Sequence, residues 1–484
     1  MTPERGQQSY IGQSVPRDDA ADKVTGSALY VHDLALPGML HAAIVLSPRA
    51  SARIRKIETT RARAVPGVRA VLTGAELDYR LGLYLQDKPI LARHVVRYQG
   101  EPVAAVAADS LDAAREACAL VEVDYEPLPA VLSTDAALAP DAPLVHEALH
   151  TYGHMKGVFF PQPDSNIAHH QKIRVGDVER GFATSHLVVC EKFRIPPVQH
   201  VPLETHAVIA QALPRDRVEI HTSSQSPYTV RHLLSVTFGI AHANIRVRVP
   251  YVGGAFGGKA GIHLEPLAYC LSRAARGRPV KVVATREEEL NTLPYRQGLT
   301  RTIELGVSRE GRIQALRTKY VWDAGAYADY GVNVGRAAAY GGAGPYHVPN
   351  CWIDSYVVYT NKVFGTAFRG FGHLEVLWGI ERIVDIAARR LGMDPYEFRM
   401  WNLLKEGDRT ITGEVITRGH GRPDRCLEAV AKGIGWGTRS SPRSAGAAKV
   451  RGKGLAVLHK APAMPTSTSC AAVIKLDEDG SADV

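Results

Sequence analysis

The chain has 484 residues, of which 45% are hydrophobic and 22% charged, and a formal net charge of +9 at pH 7. This balance excludes a disordered or fibrous chain, and the length leaves room for roughly two to four domains with cores of their own. No run reaches the roughly 18 apolar residues of a membrane span, and "MTPERGQQSYIGQSVP" carries no secretory pattern, so a cytoplasmic protein without membrane contact is expected.

The first region, residues 1–138, alternates short apolar runs ("LHAAIVLS", "VRAVLTG", "PVAAVAA") with a helical pattern at "SLDAAREACALV" and the strand-like "VEVDY". It predicts a small α/β domain. The polar, proline-containing "FFPQPDSNIAHHQ" marks a boundary. A second region, residues 158–405, mixes alternating strands ("TRTIELGV", "RIQALRTKYVW") with the helical "EVLWGIERIVDIAARRLG", which sets the fold class as α+β. Between Thr438 and Gly454 lie Arg439, Arg443, Lys449, Arg451 and Lys453 with no acid. No aromatic residues interleave there for base stacking, so the stretch reads as a solvated linker and no nucleic-acid partner is expected. A third region, residues 424–484, ends in "CAAVIKLDEDGSADV", read as a strand, a turn around Asp479-Gly480 and a returning strand. An unpaired edge there predicts a partner chain to cover it. Cys118, Cys190, Cys270, Cys351, Cys426 and Cys470 lie far apart with no C-x-x-C. Their spacing forms neither a zinc ribbon nor an iron–sulfur site, and buried thiols are expected.

Two glycine-punctuated strings carry the candidate chemistry. "VGGAFGGKA", Val252–Ala260, has the G-x-x-x-x-G-K spacing of a nucleotide P-loop between a strand-like and a helix-like run. The next position is Ala260, without the hydroxyl that would face magnesium. "GTAFRGFGHLE" places Arg369 and Phe371 at alternate positions among Gly365, Gly370 and Gly372. An extended segment would put guanidinium and ring on one side, the first suited to a phosphate or planar polar group, the second to an aromatic face.

In this order the two strings, together with "ADKVTGSALYVHDL", "VPLETHAVIA", "TSSQSPYTVRHLLS" and "WNLLKEGD", resemble the molybdopterin-binding large subunits of the xanthine dehydrogenase/aldehyde oxidase family, nicotinate dehydrogenase among them. The resemblance covers nearly the whole chain. It implies an N-terminal α/β hammerhead domain (1–138), a first molybdopterin-binding domain (158–405) and the start of a second (424–484). The implied cofactor is molybdopterin, as the cytosine dinucleotide, with molybdenum held by the pterin and not by protein side chains; His169, His170, His200, Glu204 and His206 are then structural. The backbone of Gly254, Phe256 and Gly257 would lie against the cofactor, where a side chain would collide. Gln225 matches the family glutamine that hydrogen-bonds an oxygen on the metal. Arg369 matches an arginine near the cofactor, and Phe371 a phenylalanine that packs on an aromatic substrate. Arg336 falls near an arginine that polarises a substrate carbonyl, with its spacing to "HVPN" changed by one residue. A turn whose glycines serve geometry alone, and a nucleotide P-loop, stay open as alternatives.

The implied reaction is oxidative hydroxylation of an N-heteroaromatic with water as the oxygen source. Purine-hydroxylating members carry a glutamate where this chain has Ala260, and Glu265 lies a helical turn further on; xanthine is therefore not the expected substrate. The family's catalytic glutamate and second cofactor loop have no counterpart in these 484 residues. The expectation is a subunit inactive by itself, completed by a C-terminal molybdopterin subunit, a 2Fe-2S subunit and an FAD subunit. The alternative is a non-catalytic fragment that keeps the fold.

Overall fold

The computed structural model describes residues 12–437, 452–460 and 472–483. Two compact units interleave along the chain. One is built from the residues up to Leu83, Lys88–Pro129 and Gln199–Pro294, the other from Tyr84–Asp87, Ala130–Val198 and Tyr295 onward. Of the basic stretch, Arg439, Arg443, Lys449 and Arg451 lie outside the described residues, as does Cys470.

The first unit centres on a seven-stranded sheet ordered Ile245–Arg248, Arg217–Thr222, Ala207–Leu213, Val280–Val283, Leu40–Leu46, Pro102–Ala108 and Val68–Thr73. "PVAAVAA" shows why an unbroken apolar run belongs inside: every residue of Pro102–Ala108 after the proline is buried, as expected for a strand covered on both faces. The Leu111–Ala119 helix starts where the Ser110 hydroxyl accepts from Ala113 N–H, an N-cap that satisfies one of the free amides of the first turn. The Glu265–Ala274 helix buries Leu267, Ala268 and Leu271 in one core with Val208, Ala210, Val280 and Val282.

The second unit is a five-stranded sheet ordered Leu187–Ile195, Gly298–Val307, Ile313–Gly325, Cys351–Tyr359 and Ile167–Val175. Its Ile313–Gly325 strand pairs antiparallel with Gly298–Val307 and parallel with Cys351–Tyr359. A parallel neighbour needs a crossover, and that crossover contains the Gly331–Tyr340 helix. The "EVLWGIERIVDIAARRLG" pattern becomes the His373–Arg390 helix, with Val376, Ile380, Ile383, Val384 and Ala387 buried on one stripe.

The terminal strand, turn and strand form as read: Lys475–Leu476 pairs antiparallel with Ala482–Asp483, with Gly480 at φ 83°. The thiols depart from expectation. Cys270 and Cys351 are buried, but Cys190 and Cys426 are exposed. Cys190 follows the inward-facing Val189 and so points outward on the strand alternation. Among the described residues no helix is long and apolar enough to cross a membrane.

Candidate functional site

The first glycine string forms a loop between the Ile245–Arg248 strand and the Glu265–Ala274 helix. Gly254 (φ 99°), Phe256 (φ 53°) and Gly257 (φ 106°) all take positive φ. For glycine this is free, but for phenylalanine it is strained. Phe256 is 45% exposed. Gln225 crosses to this loop: its Oε1 accepts from Gly257 N–H at 2.9 Å and its own backbone N–H donates to Lys259 O at 3.1 Å. Gln225 itself is exposed.

Lys259 decides against the nucleotide reading. A P-loop lysine must reach a phosphate, whereas this side chain is 1% exposed and donates to Glu204 O at 2.8 Å and Glu204 Oε2 at 3.0 Å. Burial lowers its pKa, and Glu204 opposes that effect. The helix also begins only at Glu265, too late for its first amides to cradle what the loop holds.

A polar bracket that the sequence did not announce holds this loop from behind. Glu204 Oε2 accepts from Gly253 N–H at 2.8 Å. His206 faces Gly258 O at 3.1 Å with Nε2 and Glu289 Oε2 at 2.9 Å with Nδ1. His263 Nε2 faces the same Gly258 carbonyl at 3.2 Å. Burial alone would raise Glu289, but the hydrogen bonds and charge of His206 outweigh it and hold the carboxyl at about 2. Glu204 and His206 thus act as braces, in keeping with the structural role expected of them. The sequence signal was the polar Glu204-Thr205-His206 set inside the apolar flanks of "VPLETHAVIA". Glu265 is equally engaged, accepting from Thr222 Oγ1 at 2.7 Å and His263 N–H at 2.9 Å, and is 6% exposed.

Arg336, Arg369 and Phe371 belong to the second unit. The extended segment expected around Arg369 is a turn. Phe371 N–H donates to Phe368 O at 2.7 Å and His373 N–H to Gly370 O at 3.1 Å, and Gly370, Phe371 and Gly372 have φ of 108°, 52° and 84°. Left-handed residues in succession curl the backbone, so Arg369 and Phe371 are set by turn geometry and not by strand alternation. Arg369 is exposed and Phe371 half-buried, its ring 6.3 Å from that of Tyr330 and nearly perpendicular to it. Arg336 lies on the Gly331–Tyr340 helix with its guanidinium 4.9 Å from the Tyr340 ring, and its Nη1 is buried without a hydrogen-bond partner. Burial, then the Arg336 charge, push His169 down to about 3.

Chemically, the first loop offers turned glycine backbone, with the Phe256 ring against Gly254, beside the amide of the exposed Gln225. The second offers the exposed Arg369 and, two residues on, the half-buried Phe371 ring. Among the described residues no group of three or more His, Cys, Asp or Glu is placed to hold a metal ion.

Comparison with known proteins places these loops in a family context. Residues 159–403 match the model of the molybdopterin cofactor-binding domain, and residues 25–129 that of the aldehyde oxidase and xanthine dehydrogenase a/b hammerhead domain. The chain is 34% identical over 394 residues to a probable xanthine dehydrogenase subunit of Bacillus subtilis, covering 81% of this chain and 51% of that one. It is 30% identical over 431 residues to the nicotinate dehydrogenase large molybdopterin subunit of Eubacterium barkeri, covering 88% and 96%. The reconstituted CO dehydrogenase of Oligotropha carboxidovorans superposes with a TM-score of 0.80 at 30% identity, over 88% of this chain and 54% of that one. The chain therefore spans about half the length of the Bacillus and Oligotropha chains and nearly all of the Eubacterium subunit.

Proposed function

The chain belongs to the aldehyde oxidase/xanthine dehydrogenase family of molybdopterin-binding large subunits, and from that premise we propose that it serves a molybdenum hydroxylase acting on a planar N-heteroaromatic substrate. In the net reaction an aromatic C–H and one water become C–OH, with two protons released and an electron pair passing on to partner chains. Bound molybdopterin, here proposed as the cytosine dinucleotide, would supply the redox-active metal centre that accepts those electrons.

The observation that carries the reading is the first loop. Its backbone turns at Gly254 and Gly257 with φ of 99° and 106°, a conformation glycine adopts without strain, and we read this turned backbone as the edge that would lie against the cofactor. Gln225 has its carbonyl end committed to Gly257 N–H, so its Nε2 would be the end that donates to an oxygen of the bound cofactor. Lys259 is withdrawn into the protein, so the loop adds no cation of its own. In the second unit Arg369 would face a polar edge of the cofactor, Phe371 would pack on the substrate ring and Arg336 would donate to a substrate carbonyl oxygen.

Three features favour a substrate other than a purine or CO. Ala260 stands where purine-hydroxylating members place a glutamate, Glu265 is occupied by Thr222 and His263, and "AFRGFG" lacks the cysteine that the resemblance implies for CO-oxidising members. The nicotinate relative supports a heteroaromatic. Its name, and that of the Bacillus relative, describe subunits, which supports partner subunits in general; a C-terminal molybdopterin subunit, an iron–sulfur subunit and a flavin subunit are the partners we propose.

The test is purification with native partners, metal analysis and an assay of pyridine- and quinoline-type substrates with a redox dye. Stoichiometric molybdenum and water-derived oxygen in the product are expected. A complex free of molybdenum, or one that hydroxylates only purines, would overturn the proposal.

A further inference from the structure

We propose that Arg296 and Glu375 form a buried clamp that positions the 367–372 loop, and with it the Phe371 ring; that the ring then serves a substrate rests on the function proposed above. The loop is pinned at both ends. Gly365–Thr366 pairs in parallel with Tyr295–Arg296, and a Cβ at Gly365 would lie 2.6 Å from Gln297 Cβ. At the other end a Cβ at Gly372 would lie 2.7 Å from Val334 O.

Between these ends the support comes from below. The Arg296 guanidinium lies 5.5 Å from the Phe368 ring centroid, and Arg296 Nε stands 3.4 Å from Glu375 Oε1. That distance makes an ion pair without hydrogen-bond alignment, since Arg296 Nε and Glu375 Oε2 are both buried without hydrogen-bond partners. The Glu375 side chain is 3% exposed and that of Arg296 12%. Phe371 N–H donates to Phe368 O at 2.7 Å. A continuous path therefore runs from Glu375 to Arg296, to the Phe368 ring, and across one hydrogen bond to Phe371.

Energetics separate positioning from mere stability. Desolvation offsets most of the attraction in a buried ion pair, so an apolar pair of similar size holds a fold as well, whereas deleting one partner strands a charge. What an apolar pair does not reproduce is a guanidinium fixed in place under Phe368. Arg296 and Glu375 are thus positioning residues; neither is placed to touch substrate.

The experiment is limited digestion of the full chain with an arginine-specific protease, following cleavage after the exposed Arg369 by mass spectrometry, with thermal melting in parallel. Glu375→Gln and Arg296→Met are expected to speed that cleavage several-fold. The double variant Arg296→Met/Glu375→Leu is expected to recover the melting temperature of the parent but not its protection at Arg369. Unchanged cleavage in the single variants, or protection that returns together with melting temperature in the double variant, would overturn the clamp. In the reconstituted complex Glu375→Gln should raise KM for the heteroaromatic while kcat and molybdenum content hold. If protection is lost as expected but Phe371→Ala leaves KM unchanged, the clamp stands and the substrate role of Phe371 falls.

Discussion

The Gln225 amide carries both an acceptor and a donor, and that makes its variants informative. Gln225→Glu keeps an acceptor for Gly257 N–H but removes the Nε2 donor. Turnover of the assembled enzyme should then fall about tenfold, the worth of one hydrogen bond to a charged group, while the loop stays in place. Retained turnover would show that Nε2 donates to nothing in the reaction. At Phe371 the expected loss is that of an aromatic contact, about 0.5–1.5 kcal/mol beyond area burial. Phe371→Ala should therefore raise KM several-fold with molybdenum content unchanged, and loss of metal would assign the ring a structural role. His169 gives a pH prediction. Burial and then Arg336 bring it from 6.5 to about 3, so between those values the unfolded chain binds the proton and the folded chain does not. Stability is complete above pH 6.5 and falls as pH drops toward 3. Melting temperatures of the parent should fall more steeply across that window than those of His169→Gln; parallel curves would contradict the assignment.

The two glycine loops share a device at the level of the element. In each a phenylalanine takes positive φ and a glycine with positive φ follows it: Phe256 with Gly257, and Phe371 with Gly372. Strain of this kind persists only where the surroundings enforce it, and each loop has a buried carboxylate and cation beneath it, Glu204 with Lys259 and Glu375 with Arg296. Gly372 is also the N-cap of the His373–Arg390 helix. Gly372→Ala should cost about 1–3 kcal/mol from backbone strain alone, with more from the 2.7 Å approach to Val334 O. Gly392→Ala, at φ 69° with nothing within 4 Å, bears the strain without the collision and should cost less. Equal losses in denaturant melts would remove the close-packing argument. The glycines were legible because left-handed backbone leaves that mark in a sequence. The strained phenylalanines were not, since nothing in their side chain favours such φ.

The seven-stranded sheet joins segments that are far apart in the chain. Leu40–Leu46 pairs in parallel with Val280–Val283, Leu40 opposite Val280, so segments from opposite halves of the sequence complete one surface. The first region, read at 1–138 from its pattern of runs, contributes strands to a sheet whose further strands come from 199–294. A fragment of residues 1–138 would leave the Leu40–Leu46 edge open and part of the Leu40, Ala42, Val280 and Val282 core exposed. It should show no cooperative melt and should aggregate. A sharp thermal transition from that fragment would show that the N-terminal segment is autonomous.

Local patterns determined the types of element and the places where the backbone must turn. "PVAAVAA" reads as a short apolar run fit for a covered strand, the stripe in "EVLWGIERIVDIAARRLG" as a helix with one buried face, and the order of the glycine strings and their companion motifs carried the family resemblance. These depend on neighbours within a few residues, where periodicity and backbone preference act directly. Tertiary structure alone decided which way Lys259 points, that Glu204, His206 and Glu289 brace the first loop, and that Glu375 reaches Arg296. Each of those pairings joins residues about 50 or more positions apart, and no local rule selects a partner at that distance. Burial decides it, because a charge taken from water must find its counter-charge in whatever segment the fold brings beside it.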